Sequence, residues 1–262
     1  MTEPRGNAHE DPAEEGAALV PAAERTLRIF EAFQRGLQPL TLSKLAAEIE
    51  APISSCHNLV RTLTSRGYLF SLESQRSYYP TRKLWDLANV IAAHDPVLAR
   101  IAATAEKLRD ATAETIIVGK RQGGVILYLL VLEGPQTIRY VAQPGRTIPL
   151  HTSAIGKALL STLDDQDLDQ WLTSCALKRI TANSNVDPAS LGVEIRGGRA
   201  LGYQMTAGEN VADVGAIGMP VRIGGEPMAI AVAGPTDRIL ANRITLVEAL
   251  RASVERLSSS LG

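Results

Sequence analysis

Two short stretches carry side chains whose types and spacing could do chemistry. In the first, Ser54, Ser55, His57, Asn58 and Arg61 recur at intervals that a helix would gather into a band of hydrogen-bonding groups, suited to base edges or phosphates. Thr41 and Ser43 stand just upstream, and Arg76, in the polar run Leu72-Glu73-Ser74-Gln75-Arg76, could reach a nucleic-acid backbone together with Arg66, Arg82 and Lys83. In the second, Pro149-Leu150-His151-Thr152-Ser153-Ala154-Ile155-Gly156-Lys157-Ala158, Thr152 or Ser153 can cap a helix. The first free N–H groups of that helix, around Ala154 to Gly156, would then face an anion such as a carboxylate.

Other constellations fail on spacing. His151 and Ser153 could be read as base and nucleophile, but no G-x-S-x-G elbow accompanies them and no acidic group to orient the histidine is identifiable. Gly156-Lys157 lacks the upstream glycine of a phosphate loop, since position 151 is His, and Ala158 replaces its Ser/Thr. Lys157 then reads as a solvated or ion-paired helix residue. Cys56 and His57 are sequence neighbours, which on a helix point about 100° apart. Asp164, Asp165, Asp167 and Asp169 fall at a helix start, where carboxylates suit the dipole better than they make a cation site. Two cysteines and four histidines, set far apart, form neither a disulfide framework nor a metal cluster. The expectation is no catalytic residue, no cofactor and no metal.

The first band must be positioned by helices. Residues 22–35 place Leu27, Ile29, Phe30 and Phe33 near helical spacing before Gly36 and Pro39. Thr41 can cap a second helix with Leu42, Leu45, Ala46 and Ile49 on one face, broken at Glu50-Ala51-Pro52. Ser54 can cap a third, Ser55 to Arg66, with Leu59, Val60 and Leu63 inward and Gly67 as its stop. Tyr68-Leu69-Phe70 and Ser77-Tyr78-Tyr79 flank the polar tip and suggest a small hairpin. Two helices with a tight break and a following hairpin make a winged helix-turn-helix, in which the third helix reads DNA and the hairpin is the wing.

The second stretch belongs to a different texture. Residues 82–94 and a run from Asp95-Pro96 to about 113 are helical in pattern, and a domain boundary falls there. Ile116-Ile117-Val118 and 125–131 are joined through Gly123-Gly124, and 217–221 and 228–232 through Gly224-Gly225, which marks antiparallel strands. Helical patterns near 153–163, 165–172, 187–201 and 236–259 complete an α+β domain with helices on an antiparallel sheet. The division is therefore 1–20 as a mobile acidic tail, 22–80 for DNA, 81–113 as linking and dimerising helices, and 114–262 for a small molecule.

At 262 residues the chain holds one to two domains, and 45% hydrophobic with 21% charged residues excludes wholesale disorder. The net charge of −1 conceals segregation: −4 over residues 1–20, +3 over 21–94 and zero over 95–262. The excess of positive charge coincides with the expected DNA reader. No apolar run is long enough to span a bilayer, and the acidic N-terminus is unlike a signal peptide, so a cytoplasmic protein without membrane partners is expected.

The segment TLSKLAAEIEAPISSCHNLVRTLTSRGYL, Tyr79, the helices around Asp95-Pro96, PLHTSAIGKA and the stretch from Gly202-Tyr203 through Glu209 to Ile217-Gly218-Met219-Pro220 resemble the IclR family of bacterial transcriptional regulators in order and spacing, across about 22–260. The resemblance implies a C-terminal, GAF-like domain that binds an organic acid or related metabolite, and dimers or dimers of dimers on operator DNA. It also implies effector contacts from the loop holding His151, Ser153, Ala154 and Ile155, from Thr206, Val214 and Ala216, and from Ala231 and Ala233 ahead of Gly234-Pro235. Alanine stands where the family often has Cys or Ser. This implies a more apolar pocket and a larger or more hydrophobic acid, such as an aromatic one, unless the alanines only pack the sheet. Glu50, Ile53 and Asn58 depart from the family's usual Gly, basic residue and Arg, which removes positive charge and predicts fewer phosphate contacts. The implied function is a DNA-binding regulator, more in keeping with a repressor, under control of a small acid. The competing reading is a metabolite-binding enzyme or sensor whose winged helix binds a protein partner.

Overall fold

The computed structural model describes residues 20–94 and 96–259. The acidic tail expected over 1–20 lies outside the described residues but for Val20. The chain divides into two compact units that part between residues 95 and 96.

In the first unit, α1 (Pro21–Gly36) buries Ile29, Ala32 and Phe33 and stops at Leu37, whose left-handed backbone closes the last turn. Then come β1 (Leu40–Thr41), α2 (Leu42–Glu48) and α3 (Ile53–Ser65). The break between α2 and α3 is made by Glu50 at φ +49, a left-handed conformation that glycine would adopt with less strain. Arg28 compensates, reaching across from α1 to the Glu48 carbonyl and the Glu50 carboxylate, each at 3.0 Å. Leu45, Ile49, Cys56, Val60 and Leu63 join the α1 residues in one core. The hairpin is β2 (Leu69–Leu72), a 3-10 turn over Glu73–Gln75 and β3 (Ser77–Pro80), with Leu72 opposite Ser77. β1 adds to its other edge, a pairing too short for sequence periodicity to show. The unit ends with α4 (Lys83–Ala93).

The second unit opens with α5 (Pro96–Thr112), then β4 (Thr115–Gln122), β5 (Val125–Leu132) and β6 (Thr147–Pro149). The helices α6 (Ala154–Leu160), α7 (Asp165–Ser174) and α8 (Pro188–Leu201) follow. The chain finishes with β7 (Gln204–Ala207), β8 (Val214–Ile223), β9 (Glu226–Pro235), α9 (Thr236–Ala241) and α10 (Arg243–Ser259). The expected helix over 236–259 is thus two, separated at Asn242. The expected α+β class, a winged helix-turn-helix followed by an antiparallel sheet with helices, is what the chain adopts.

The six strands run antiparallel in the order β6-β5-β4-β9-β8-β7. Strand alternation sorts large from small side chains. On β9, Met228, Ile230 and Val232 enter the core under α5 and α10, whereas Ala229, Ala231 and Ala233 face the opposite core with α6, α7 and α8. That row of alanines leaves room on one face of the sheet. α6 sits tightly there, because a Cβ at Gly156 would meet the Leu150 carbonyl oxygen at 2.1 Å and one at Gly218 would meet the Ala154 oxygen at 2.6 Å.

Candidate functional site

The third helix presents the expected band. Cys56, Val60 and Leu63 turn inward, while Ser54, His57, Asn58 and Arg61 are exposed and Ser55 is half-buried. Ser54 is not the cap it was expected to be. The helix begins at Ile53, two residues before the expected start, behind Pro52, whose carbonyl accepts the Cys56 N–H at 3.0 Å. Thr41 does cap α2, accepting the Lys44 N–H at 3.3 Å, so a lone pair of its half-buried hydroxyl is committed to the helix start. Ser43 is exposed in the first turn of α2, and Arg76 is exposed at the hairpin tip in left-handed backbone, its N–H on the Glu73 carbonyl.

The basic residues of this unit divide in two. Arg28 and Arg35 are paired with Glu50 and Glu48, Arg82 with Asp86, and Lys83 donates to the Arg66 carbonyl over the Tyr68 ring. Lys44, Arg61, Arg66 and Arg76 are exposed, with no ion pair among the described residues. If all four touch phosphate, the plot of log affinity against log salt should have a slope of about −4 for one copy and about −7 for a symmetric pair. A slope beyond about −9 in an anisotropy salt series would show that other cations contribute.

In the second unit, a cavity opens between the sheet and α6. Ser153, Ala154, Ile155, Thr206, Val214, Ala216, Ala231 and Ala233 all line it, so the residues named from the sequence come together apart from His151. Its wall also includes Ile117, Tyr128, Tyr140, Thr152, Asn210 and Val211. Tyr128 was legible in principle, since it alternates with Ile126 toward the same core. Tyr140 was not, because it lies in an irregular stretch held by the Thr115 hydroxyl, which donates to the Tyr140 carbonyl at 2.6 Å. Burial pushes the Tyr128 phenol well up, with the neighbouring Tyr140 adding to the effect, so it stays a neutral donor. Among the described residues the lining holds hydroxyls and one amide but no ionised side chain.

The loop before α6 is fixed from several sides. Ser153 is the N-cap, accepting the Gly156 N–H at 3.0 Å, so one of the three N–H groups expected to face an anion is already used. Its own hydroxyl donates to the Pro149 carbonyl at 3.2 Å, and Thr152 donates to the Asn210 side-chain oxygen at 3.3 Å. His151 turns away from the cavity, its Nε2 2.9 Å from the Lys178 carbonyl oxygen. His151 and Ser153 each have a backbone partner instead of each other.

Burial, reinforced by the Lys157 charge and opposed by the Lys178 carbonyl, lowers the His151 pKa below its ordinary value near 6.5. An imidazole with a depressed folded-state pKa contributes stability above the unfolded value that is lost as pH falls through the folded one. Urea melts between pH 7.5 and 5.5 should therefore show stability falling with pH, and His151→Gln should flatten that slope; an unchanged slope would contradict the assignment.

Lys157 is fully buried, which overturns the solvated alternative and leaves the ion-paired one. Its ammonium donates to Glu209 at 2.7 Å and to Glu194, which also accepts from Asn185 at 3.1 Å. Burial pushes the Glu209 carboxyl up even against the attraction of Lys157. The Glu209 carbonyl accepts from Ser184 at 2.8 Å and Thr181 at 3.1 Å, and Asn210 of the cavity wall is next in sequence. The triad thereby ties α6, α8 and the turn at 208–210 around one side of the cavity.

A winged helix with an exposed polar reading helix, followed by a sheet domain with a cavity lined by apolar groups and hydroxyls, defines the class of ligand-responsive DNA-binding regulators. Residues 22–71 match the IclR helix-turn-helix domain and residues 89–259 match the bacterial transcriptional regulator IclR C-terminal domain. The chain belongs to the IclR family of transcriptional regulators. It is similar to the HTH-type transcriptional regulator BhcR of Paracoccus denitrificans, with 30% identity over 92% of this chain and 87% of that protein. It is also similar to the HTH-type transcriptional repressor AllR of Escherichia coli K12, with 24% identity over 92% of this chain and 90% of the relative. The crystal structure of an IclR homolog of Microbacterium hydrocarbonoxydans complexed with 4-hydroxybenzoate shares the fold, with a TM-score of 0.72 and 20% identity over 92% of this chain and 98% of that one. Among the described residues, no helix is long and apolar enough to cross a membrane.

Proposed function

We propose that the chain is an acid-responsive repressor: the first unit holds operator DNA, and an organic or aromatic acid in the cavity of the second releases it. The observation that carries this reading is the cavity itself, where Ser153, Ala154, Ile155, Thr206, Val214, Ala216, Ala231 and Ala233 converge. Its wall, mostly apolar with two tyrosines and a few hydroxyls, suits an acid that carries a ring. Uncharged donors, the Tyr128 phenol and the Thr206 hydroxyl, can receive a carboxylate or ring hydroxyl, while the alanines of β8 and β9 line the wall beside them. The repressor named AllR and the homolog bound to 4-hydroxybenzoate support the same reading.

DNA contact falls to Ser43, Ser54, Ser55, His57, Asn58 and Arg61, with Thr41 and Arg76 toward the backbone. Two copies act together, since one short reading helix makes few base contacts and two on symmetric half-sites roughly add their energies. Trp85, Leu87, Val90 and Ile91, exposed on α4, supply an apolar surface for that pairing. Ligand binding then shifts the population of paired reading helices.

Titration calorimetry with a series of carboxylic acids tests the cavity. A one-ring acid such as 4-hydroxybenzoate should bind the wild type, and Ala216→Phe, which puts a ring into the free space, should weaken it at least tenfold. Tight binding of a two- or three-carbon keto acid alone, or equal affinity in the variant, would overturn the reading.

A further inference from the structure

We propose that Ile53 reads the C5-methyl group of a thymine in the operator. The inference rests on α3 being the reading helix and adds a residue to those already given that role. Ile53 opens α3 and is 57% exposed, whereas the other apolar residues of that helix are buried or half-buried. One and two turns along, on the same side, stand His57 and Arg61, both exposed. The side chain therefore borders the polar band and leaves the core to Cys56, Val60 and Leu63.

In a helix-turn-helix, residues near the start of the second helix come against base edges in the major groove. An isoleucine there offers no hydrogen bond and no charge for phosphate, so its one means of recognition is apolar contact. The thymine methyl is the apolar group that the major groove presents, and it marks A·T and T·A pairs alone. Asn58, exposed on the same helix, has the donor and acceptor pair that suits adenine. Together they make this helix a reader of A·T pairs as well as of a guanine under Arg61. The first turn is also open to approach, since Pro52, Ile53 and Ser54 are all exposed.

The test begins with selection of duplexes from a randomised library by the full-length chain. Each thymine of the selected site is then replaced in turn by deoxyuridine, which removes the methyl group and keeps every hydrogen bond. One thymine in each half-site should lose about fourfold in affinity, the equivalent of one buried methyl group, and about fifteenfold when both half-sites are changed. In Ile53→Ala, an exposed change whose folding a thermal melt verifies, the same replacements should have no effect. Deoxyuridine tolerated within twofold everywhere, or the same loss in Ile53→Ala, would overturn the inference and leave the DNA reading intact. A library from which no sequence is enriched would remove both.

Discussion

Lys157→Met should lower the unfolding free energy by about 3–5 kcal/mol, because it leaves the Glu209 carboxylate buried without its cation. The variant keeps an unbranched chain up to the position of Cε and removes the ammonium beyond it, so loss of charge outweighs loss of volume. Glu209 is nearly enclosed and Glu194 about one-third exposed, so most of the cost falls on Glu209. The sign with pH follows from the direction of its shift. A carboxyl whose folded pKa is raised favours the folded state below its unfolded pKa and loses that contribution as pH rises, so the deficit of Lys157→Met should shrink toward pH 5. Adding Glu209→Gln should recover at least half of it. Denaturant melts of the single and double variants at pH 5 and 7.5 measure this, and a deficit under about 1 kcal/mol at both would show that the triad is not held as described.

Arg61→Ala should weaken operator binding by about 10²–10⁴-fold when two copies act together, taking about 1–3 kcal/mol for each bidentate contact with a base pair. Arg61 is exposed in the middle of the reading face and has no ion pair among the described residues, so its removal should leave the melting temperature within a degree or two. Discrimination should fall more than affinity for unrelated DNA. Equal losses on operator and control duplex would make Arg61 a phosphate contact only.

The winged helix was legible because its signals are local: Thr41 as a cap, the break at Glu50-Ala51-Pro52, and an inward triplet on α3. The early start of α3 was missed because a proline can end a loop and begin a helix in the same place, and Ser54 looks like a cap in isolation. The paired glycines announced both long hairpins of the sheet. β6 and β7, of three and four residues, carry too few alternations to be seen.

The cavity was legible only in part. Its alanines on β8 and β9 were named by the family resemblance, but the choice between packing and pocket needed the strand register: Ala229 packs, while Ala231 and Ala233 line the space. His151 shared a loop with the lining residues yet faces Lys178, because a side chain's direction in a loop is set by contacts distant in sequence. Tyr140 and Asn210 were invisible for the same reason. Lys157 looked like a surface residue because its partners, Glu194 and Glu209, lie 37 and 52 positions away.

The most direct test of acid-controlled DNA binding is fluorescence anisotropy of the full-length protein on a library-selected operator and a scrambled duplex, at fixed salt, with and without saturating one-ring acid. The expected result is preference for the operator by about 10³-fold or more without ligand, falling by at least tenfold when the acid is added. Specific binding that stays the same at saturating, calorimetrically verified ligand would contradict the control mechanism, and equal weak binding to both duplexes would contradict the DNA reading.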